Sequence, residues 1–309
     1  MAALTRRALA GAGAALVLAP VAWAEDEIVL VETARLDDGL RLAYVERGAG
    51  PPVIFVHGSL SDYSYWDDQL PAFAGTRRAI AYSRRYNWPN RNTAGAGYSA
   101  VADALDLASM IELLCDGPAH VVGHSYGALA ALILATRRPE LIRTMVLAEP
   151  PAVSLLAHAP APLAASGRAM LADIQTRMVA PMRAAFLKGE REAGVAAFID
   201  YCAGDPQRWT KMSPQSRAEI LKDAHEWDAM LTAGELFPEV APEAVRAIRT
   251  PTLLLSGGRS YPFLAVIDET LASLLPNARR IVFETATHQM WLEQPEACRR
   301  ATLELQNRA

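Results

Sequence analysis

The sequence predicts an α/β protein: a mostly parallel central sheet with helices on both faces and a helical segment inserted between two of its strands. Three observations predict it. Short continuous apolar runs, Val53–Val56, Ala119–Val122, Ile142–Ala148 and Thr252–Leu255, are bounded by turn residues and suit strands buried on both faces. Segments with apolar residues at helical spacing alternate with those runs, as parallel strands joined by crossover helices require. From Pro150-Pro151 to about Phe237 the chain offers helical patterns and no convincing strand. A chain of 309 residues suits one large α/β core, 25–150 with 237–309, carrying an inserted helical cap, 151–236.

Taken in order, Ile28–Arg35 and Leu40–Arg47 read as strands joined by the turn Asp37-Asp38-Gly39, an antiparallel hairpin opening the sheet. After Pro51-Pro52 comes the buried run Val53–Val56, followed directly by His57-Gly58-Ser59-Leu60. Asp62–Phe73 reads as a helix with Trp66, Leu70 and Phe73 on one face, and Arg77–Tyr82 as the next strand. Ser83–Gly97 is irregular. Tyr98–Cys115 reads as a helix whose apolar face is Val101, Leu105, Ala108, Ile111 and Leu114. Within the insertion, Met170, Ile174, Met178, Met182 and Phe186 form one stripe, while Val195–Cys202 and Ser213–Leu231 form others. Such stripes are ordinarily core, though part of this one could wall a pocket for an apolar ligand. Strand Thr252–Leu255, helix Pro262–Leu275, strand Arg279–Phe283, a loop Glu284–Gln289 and helix Pro295–Gln306 complete the chain.

The run Val121-Val122-Gly123-His124-Ser125-Tyr126-Gly127 passes from strand through a sharp turn into the Ala/Leu-rich segment Ala128–Arg137. Glycines flank Ser125 because a turn this tight leaves no room for Cβ atoms beside the neighbouring strand and helix. The turn lifts the Ser125 hydroxyl above the sheet edge, at a helix N-terminus whose free N–H groups and dipole favour developing negative charge. A serine hydroxyl is a weak nucleophile at neutral pH. It needs a base, a group that orients the base, and donors for the oxyanion that forms.

Residues 1–24 read separately. Thr5-Arg6-Arg7 is a basic start, Ala8–Pro20 an apolar run short for a membrane span, and Ala22-Trp23-Ala24 an A-x-A cleavage site. The expectation is a cleaved export signal, by a general or twin-arginine route, and a periplasmic or secreted protein with no membrane span after cleavage. A net charge of −4 and the lack of any long Lys/Arg block give no reason to expect nucleic acid as a partner. Cys115, Cys202 and Cys298 fit no zinc spacing and read as small, mostly buried apolar residues.

Together His57-Gly58-Ser59, Gly123-His124-Ser125-Tyr126-Gly127 and Ala286-Thr287-His288 resemble the α/β-hydrolase family from about Ile28 to the C-terminus. The resemblance implies Ser125 as nucleophile and His288, after the last strand, as base. It implies oxyanion donors in the N–H of Tyr126 and of a residue in the loop after the third strand, Ser59, with Leu60 as the alternative. Most relatives carry an Asp after the strand that follows the cap. Here that loop reads Ser256-Gly257-Gly258-Arg259-Ser260-Tyr261, with no carboxylate until Asp268 inside a predicted helix. Glu149 instead follows the strand that precedes the cap, where some family members place their acid, and it is the expected orienting acid; Asp268 is the alternative. The loop Ser83–Asn90 departs from the family's usual loop, and Arg84 or Arg85 is read as a structural pair, a brace for Glu149 or a contact for a substrate carboxylate. The expected activity is cofactor-free and metal-free hydrolysis of a small carboxylic ester or lactone, apolar or aromatic. Amide or carbon–carbon bond hydrolysis by the same parts, and a non-catalytic ligand-binding protein, are the alternatives.

Overall fold

The computed structural model describes residues 30–93, 95, 97–232 and 234–309. The expected export signal, 1–24, lies outside the described residues. Eight strands form one sheet: β1 (Glu32–Arg35), β2 (Arg41–Arg47), β3 (Pro52–Val56), β4 (Arg78–Tyr82), β5 (Ala119–His124), β6 (Ile142–Ala148), β7 (Thr252–Gly257) and β8 (Ala278–Phe283). Their order is β1-β2-β4-β3-β5-β6-β7-β8. β1 and β2 form the expected hairpin, turned at Gly39 with φ of 87°. β2 meets β4 antiparallel, and every later pairing is parallel. β3 and β5–β7 are buried along nearly their whole length, which is why they read as unbroken apolar runs.

Helices cover both faces. One face is closed by α1 (Leu70–Ala74) and, beyond α12 (Met290–Glu293), by α13 (Pro295–Gln306), around Phe55, Trp66, Phe73 and Trp291. The other is closed by α2 (Ala100–Leu114), α3 (Tyr126–Arg137) and α11 (Pro262–Leu274). Between β6 and β7 lie α4 (Ala164–Asp173), α5 (Ala180–Leu187), α6 (Arg191–Ala203), α7 (Arg208–Lys211), α8 (Pro214–Leu221), α9 (His225–Thr232) and, nearer the sheet, α10 (Pro242–Ala247). Met178, Met182, Phe186 and Trp227 of this insertion belong to the same apolar cluster as the second sheet face, so the insertion shares the core's packing.

Three expectations are corrected. Asp62–Phe73 is broken into a 3₁₀ turn at Tyr63–Trp66 and the short α1, because Pro71 cannot donate to the preceding turn. Trp66 and Phe73 still pack on Phe55, with ring centroids 5.0 Å away in each case. The buried residues of α2 are Ala100, Asp103, Ala104, Asp106, Leu107, Ala108, Met110 and Ile111, so Ala108 and Ile111 lie inward as expected, while Leu105 points to solvent at 53% exposure. The face is rotated because Asp103 is drawn inward by a buried cation at Arg84. Ser213–Leu231 is two helices, interrupted at 222–224 where Lys222 and Asp223 turn to loops of the core.

Candidate active site

β5 ends at His124 and α3 begins at Tyr126, leaving Ser125 alone in the turn with φ of 52° and ψ of −122°. Its N–H donates to Ala148 O at 2.8 Å. A Cβ at Gly123 would lie 2.6 Å from Ala128 Cα, and one at Gly127 would lie 2.3 Å from Val56 O. Both positions therefore demand glycine. Gly58 presses on the turn from the other side, where an added Cβ would sit 2.9 Å from Ser125 Cβ.

Among the described residues three non-glycine residues have positive φ: Leu60 (55°), Ser125 (52°) and Glu149 (49°). Each costs on the order of 1–3 kcal/mol and persists only where surrounding contacts over-determine it. Here those contacts are visible. Glu149 is 1% exposed. Its Oε1 accepts from the Gly257 N–H at 2.7 Å, and its Oε2 accepts from Ser260 Oγ at 2.6 Å. The same Oε2 lies 2.5 Å from His288 Nδ1. Glu149 reaches His288 from β6, one strand over from the loop after β7, and that loop contributes a serine hydroxyl and a backbone N–H to the carboxylate.

Asp268 does not reach the histidine. It is fully buried on α11, accepts from Ser256 Oγ at 2.5 Å, and has no partner for Oδ1. Burial holds its carboxyl well above the usual carboxylate range.

The other two histidines near the site are fixed and neutral. His124 Nε2 donates to the His288 carbonyl at 2.9 Å, and its ring stacks on Tyr65 with centroids 4.9 Å apart. Burial pushes its pKa well down. His57 donates from Nδ1 to Gly58 O at 2.8 Å and accepts the Arg84 N–H on Nε2 at 2.9 Å. Burial, with the charge of Arg84 beside it, lowers its pKa to about 3.

Arg84 and Arg85 do not contact the pocket, which corrects their reading as substrate contacts or as braces for Glu149. Arg84 is fully buried: Nη1 donates to Asp103 at 2.8 Å and Tyr98 at 3.1 Å, and Nη2 donates to Gly58 O at 3.2 Å and to Glu226. Its guanidinium also lies 5.0 Å from the centre of the Tyr126 ring. Arg85 forks onto Asp106 at 2.8 and 2.6 Å. Leu60 also drops out as an oxyanion donor, because its N–H is held by Glu226 Oε1 at 2.7 Å. Among the described residues no acceptor holds the N–H of Ser59, and that of Tyr126 stands at the first position of α3, where no intrahelical acceptor exists.

Ser125, His288, Ser59 and Tyr126 line one pocket of about 470 Å³ of empty space, its open mouth included. Its walls are apolar: Met178, Met182, Phe198 and Trp227 come from the insertion, and Tyr261 and Phe263 from the core. Among the described residues no lysine, arginine, aspartate or glutamate lines it. Among the described residues no group of three His, Cys, Asp or Glu is placed to hold a metal ion. Sequence alone singles out neither Glu226 nor Ser260. A serine in the loop after β7 carries no motif of its own, and no sequence pattern links Glu226 to Leu60 across 166 positions.

Comparison with known proteins follows the same lines. A family model described as "Alpha/beta hydrolase family" matches residues 53–301. A Mycobacterium tuberculosis protein named "Putative non-heme bromoperoxidase BpoC" is 28% identical over 284 residues, covering 85% of this chain and 97% of that protein. An esterase of the same species is 27% identical over 280 residues, 87% of each chain. The crystal structure of an enol-lactonase from Burkholderia xenovorans superposes with a TM-score of 0.68 at 17% identity, over 89% of this chain and 100% of that one; at that identity the likeness speaks for the fold. With the family match spanning most of its length, the chain belongs to the alpha/beta hydrolase family.

Proposed function

We propose that the protein is an exported serine hydrolase that cleaves a small, uncharged carboxylic ester or lactone. The observation that carries this reading is the pair formed by Glu149 and His288 at 2.5 Å, with His288 and Ser125 opening into the same pocket. In the proposed reaction Ser125 Oγ bonds to the acyl carbon while its proton passes to His288 Nε2. Glu149 holds the imidazole through Nδ1 and stabilises the imidazolium as it forms. The carbonyl oxygen, now an oxyanion, takes hydrogen bonds from the N–H groups of Ser59 and Tyr126, each worth about 3 kcal/mol in the transition state. His288 then protonates the departing alkoxide, and water, deprotonated by the same ring, releases the acid and frees Ser125. In a lactone the alkoxide stays attached and one hydroxy acid leaves.

The apolar lining, free of charged side chains, supports an alkyl or aromatic substrate over one carrying a carboxylate. Residues 151–236 act in this reading as a cap whose methionine and aromatic side chains shape the acyl site. Residues 1–24 direct export and are removed, which mass spectrometry of the mature N-terminus checks: a retained Met1 would end that part of the reading. Turnover of short-chain nitrophenyl esters, with covalent labelling by a fluorophosphonate, tests the chemistry. Ser125→Ala should abolish both; an Ala variant as active as the wild type would sink the mechanism, as would a wild type inert to a broad ester and lactone panel.

A further inference from the structure

The loop that offers the Ser59 N–H is held on both sides by polar groups, and one of them belongs to the insertion. On the N-terminal side, Gly58 O accepts from His57 Nδ1 at 2.8 Å and from Arg84 Nη2 at 3.2 Å. On the C-terminal side, the Leu60 N–H donates to Glu226 Oε1 at 2.7 Å, with Leu60 kept at a φ of 55°. Glu226 Oε2 closes the ring by pairing with Arg84 Nη2. Arg84 and Glu226 have no exposed side-chain surface, and Asp103 and Tyr98 anchor the guanidinium from below. Glu226 lies on α9, within the insertion, and the residues just before it reach the same two loops of the core. Lys222 pairs with Asp62 at 2.7 Å, and Asp223 accepts the Trp88 N–H at 2.7 Å.

We propose that Glu226 is a positioning residue that assembles the oxyanion hole: it fixes the Ser59 N–H through Leu60 and Arg84, so that the donor is correctly aimed only while the Glu226 carboxylate sits between the Leu60 N–H and the Arg84 guanidinium. This rests on the serine-hydrolase reading above and extends it. The physical reason is the strain at Leu60. A leucine at positive φ relaxes to the ordinary region when its constraint is removed, and the peptide that carries the neighbouring donor turns with it. With Glu226 gone, Arg84 keeps Asp103 and Tyr98 on Nη1, but Nη2 is left with Gly58 O alone, in the loop that carries the donor. The insertion therefore does more than wall the substrate site: through Glu226 it completes the catalytic geometry.

The experiment compares wild type with Glu226→Ala, Glu226→Gln and Lys222→Met, each assayed on nitrophenyl acetate per site titrated to completion with a fluorophosphonate. Loss of one oxyanion donor costs roughly 100- to 1,000-fold in rate, so E226A should lower kcat about 100-fold with KM within about threefold. E226Q keeps the volume and one acceptor but cannot serve both Leu60 N–H and Arg84, and should fall between E226A and wild type. K222M removes the neighbouring pair with Asp62 while leaving Glu226 on Leu60 and Arg84, and should keep kcat within about twofold. Should E226A not fold, E226Q decides alone. An unchanged kcat per titrated site in E226Q overturns the proposal, as does K222M falling as far as the Glu226 variants, since the effect would then not belong to the contacts of Glu226. A wild type that neither labels nor turns over removes the serine-hydrolase reading and the proposal with it; an active, labelled wild type beside an unaffected E226Q removes the proposal alone.

Discussion

On the His288 side of the pocket every hydrogen bond that fixes the acid comes from the ends of the sheet's own strands. Glu149 follows β6, its partners Gly257 and Ser260 end or follow β7, and His288 lies beyond β8. On the Ser59 side the loop after β3 is held by Arg84 from the loop after β4 and by Glu226 from the insertion. The first arrangement needs only the core to be folded. The second needs the insertion to be in place as well. Glu149 and His288 are thus tied to the core alone, whereas the Ser59 loop is tied to the insertion as well.

The sharpest break in this comparison is at the acid. Glu149→Gln keeps the shape but removes the charge that stabilises the imidazolium, and kcat should fall about 1,000- to 10,000-fold. Asp268→Asn should stay within about threefold, because its carboxyl touches Ser256 rather than the histidine. Steady-state kinetics of the two variants side by side checks this. If D268N is as inactive as E149Q, the two carboxyls share the role and the acid side is not the self-contained unit described.

The acid side was also the legible side. Ser125 and Glu149 each stand directly after a buried strand that reads as an apolar run, His288 lies in the loop that follows the last strand, and strand ends in a parallel sheet converge on one edge. The parallel character of the sheet follows from the alternation of strands and helices. What could not be read depends on which way side chains turn after the chain has packed. Arg84 and Arg85 are adjacent and look alike in sequence, yet one is sealed among Asp103, Tyr98 and Glu226 while the other forks onto Asp106 near the surface. Leu105 fits the helical spacing of α2 but faces water, because the ion pair at Asp103 outweighs the apolar period. The break at 222–224 is set by groups on other loops, invisible to local propensity.

A subtler change sharpens the acid side. Ser260→Ala removes a hydroxyl that donates to Glu149 Oε2 at 2.6 Å. With one donor fewer, the carboxylate is held only by Gly257 and the histidine, and the imidazole it orients is fixed less firmly. kcat should fall about threefold with KM little changed, as steady-state kinetics on a nitrophenyl ester checks. An unchanged kcat would mean that Ser260 orients nothing that matters to the proton transfer.

The smallest effect lies in the seam beneath the oxyanion side and concerns stability. Asp223 is 1% exposed and accepts the Trp88 N–H. Burial, with the nearby charge of Asp62, raises its pKa to about 7. An aspartate in the unfolded chain titrates near 3.9, so between about pH 4 and 7 the folded state holds a proton that the unfolded state has released. Folding stability from this group is therefore full below about pH 4 and declines as the pH rises to 7, beyond which the carboxylate is charged in both states and the deficit is constant. Asp223→Asn retains an oxygen for the Trp88 N–H and cannot ionise. It should leave stability nearly unchanged at pH 4 and raise it by about 1–2 kcal/mol at pH 8. Denaturant midpoints for the two proteins at both pH values check the sign. A variant less stable at pH 8 than at pH 4, relative to wild type, would mean that the charged carboxylate is what the Lys222 seam holds, and that the Ser59 side is reinforced by alkali rather than weakened by it.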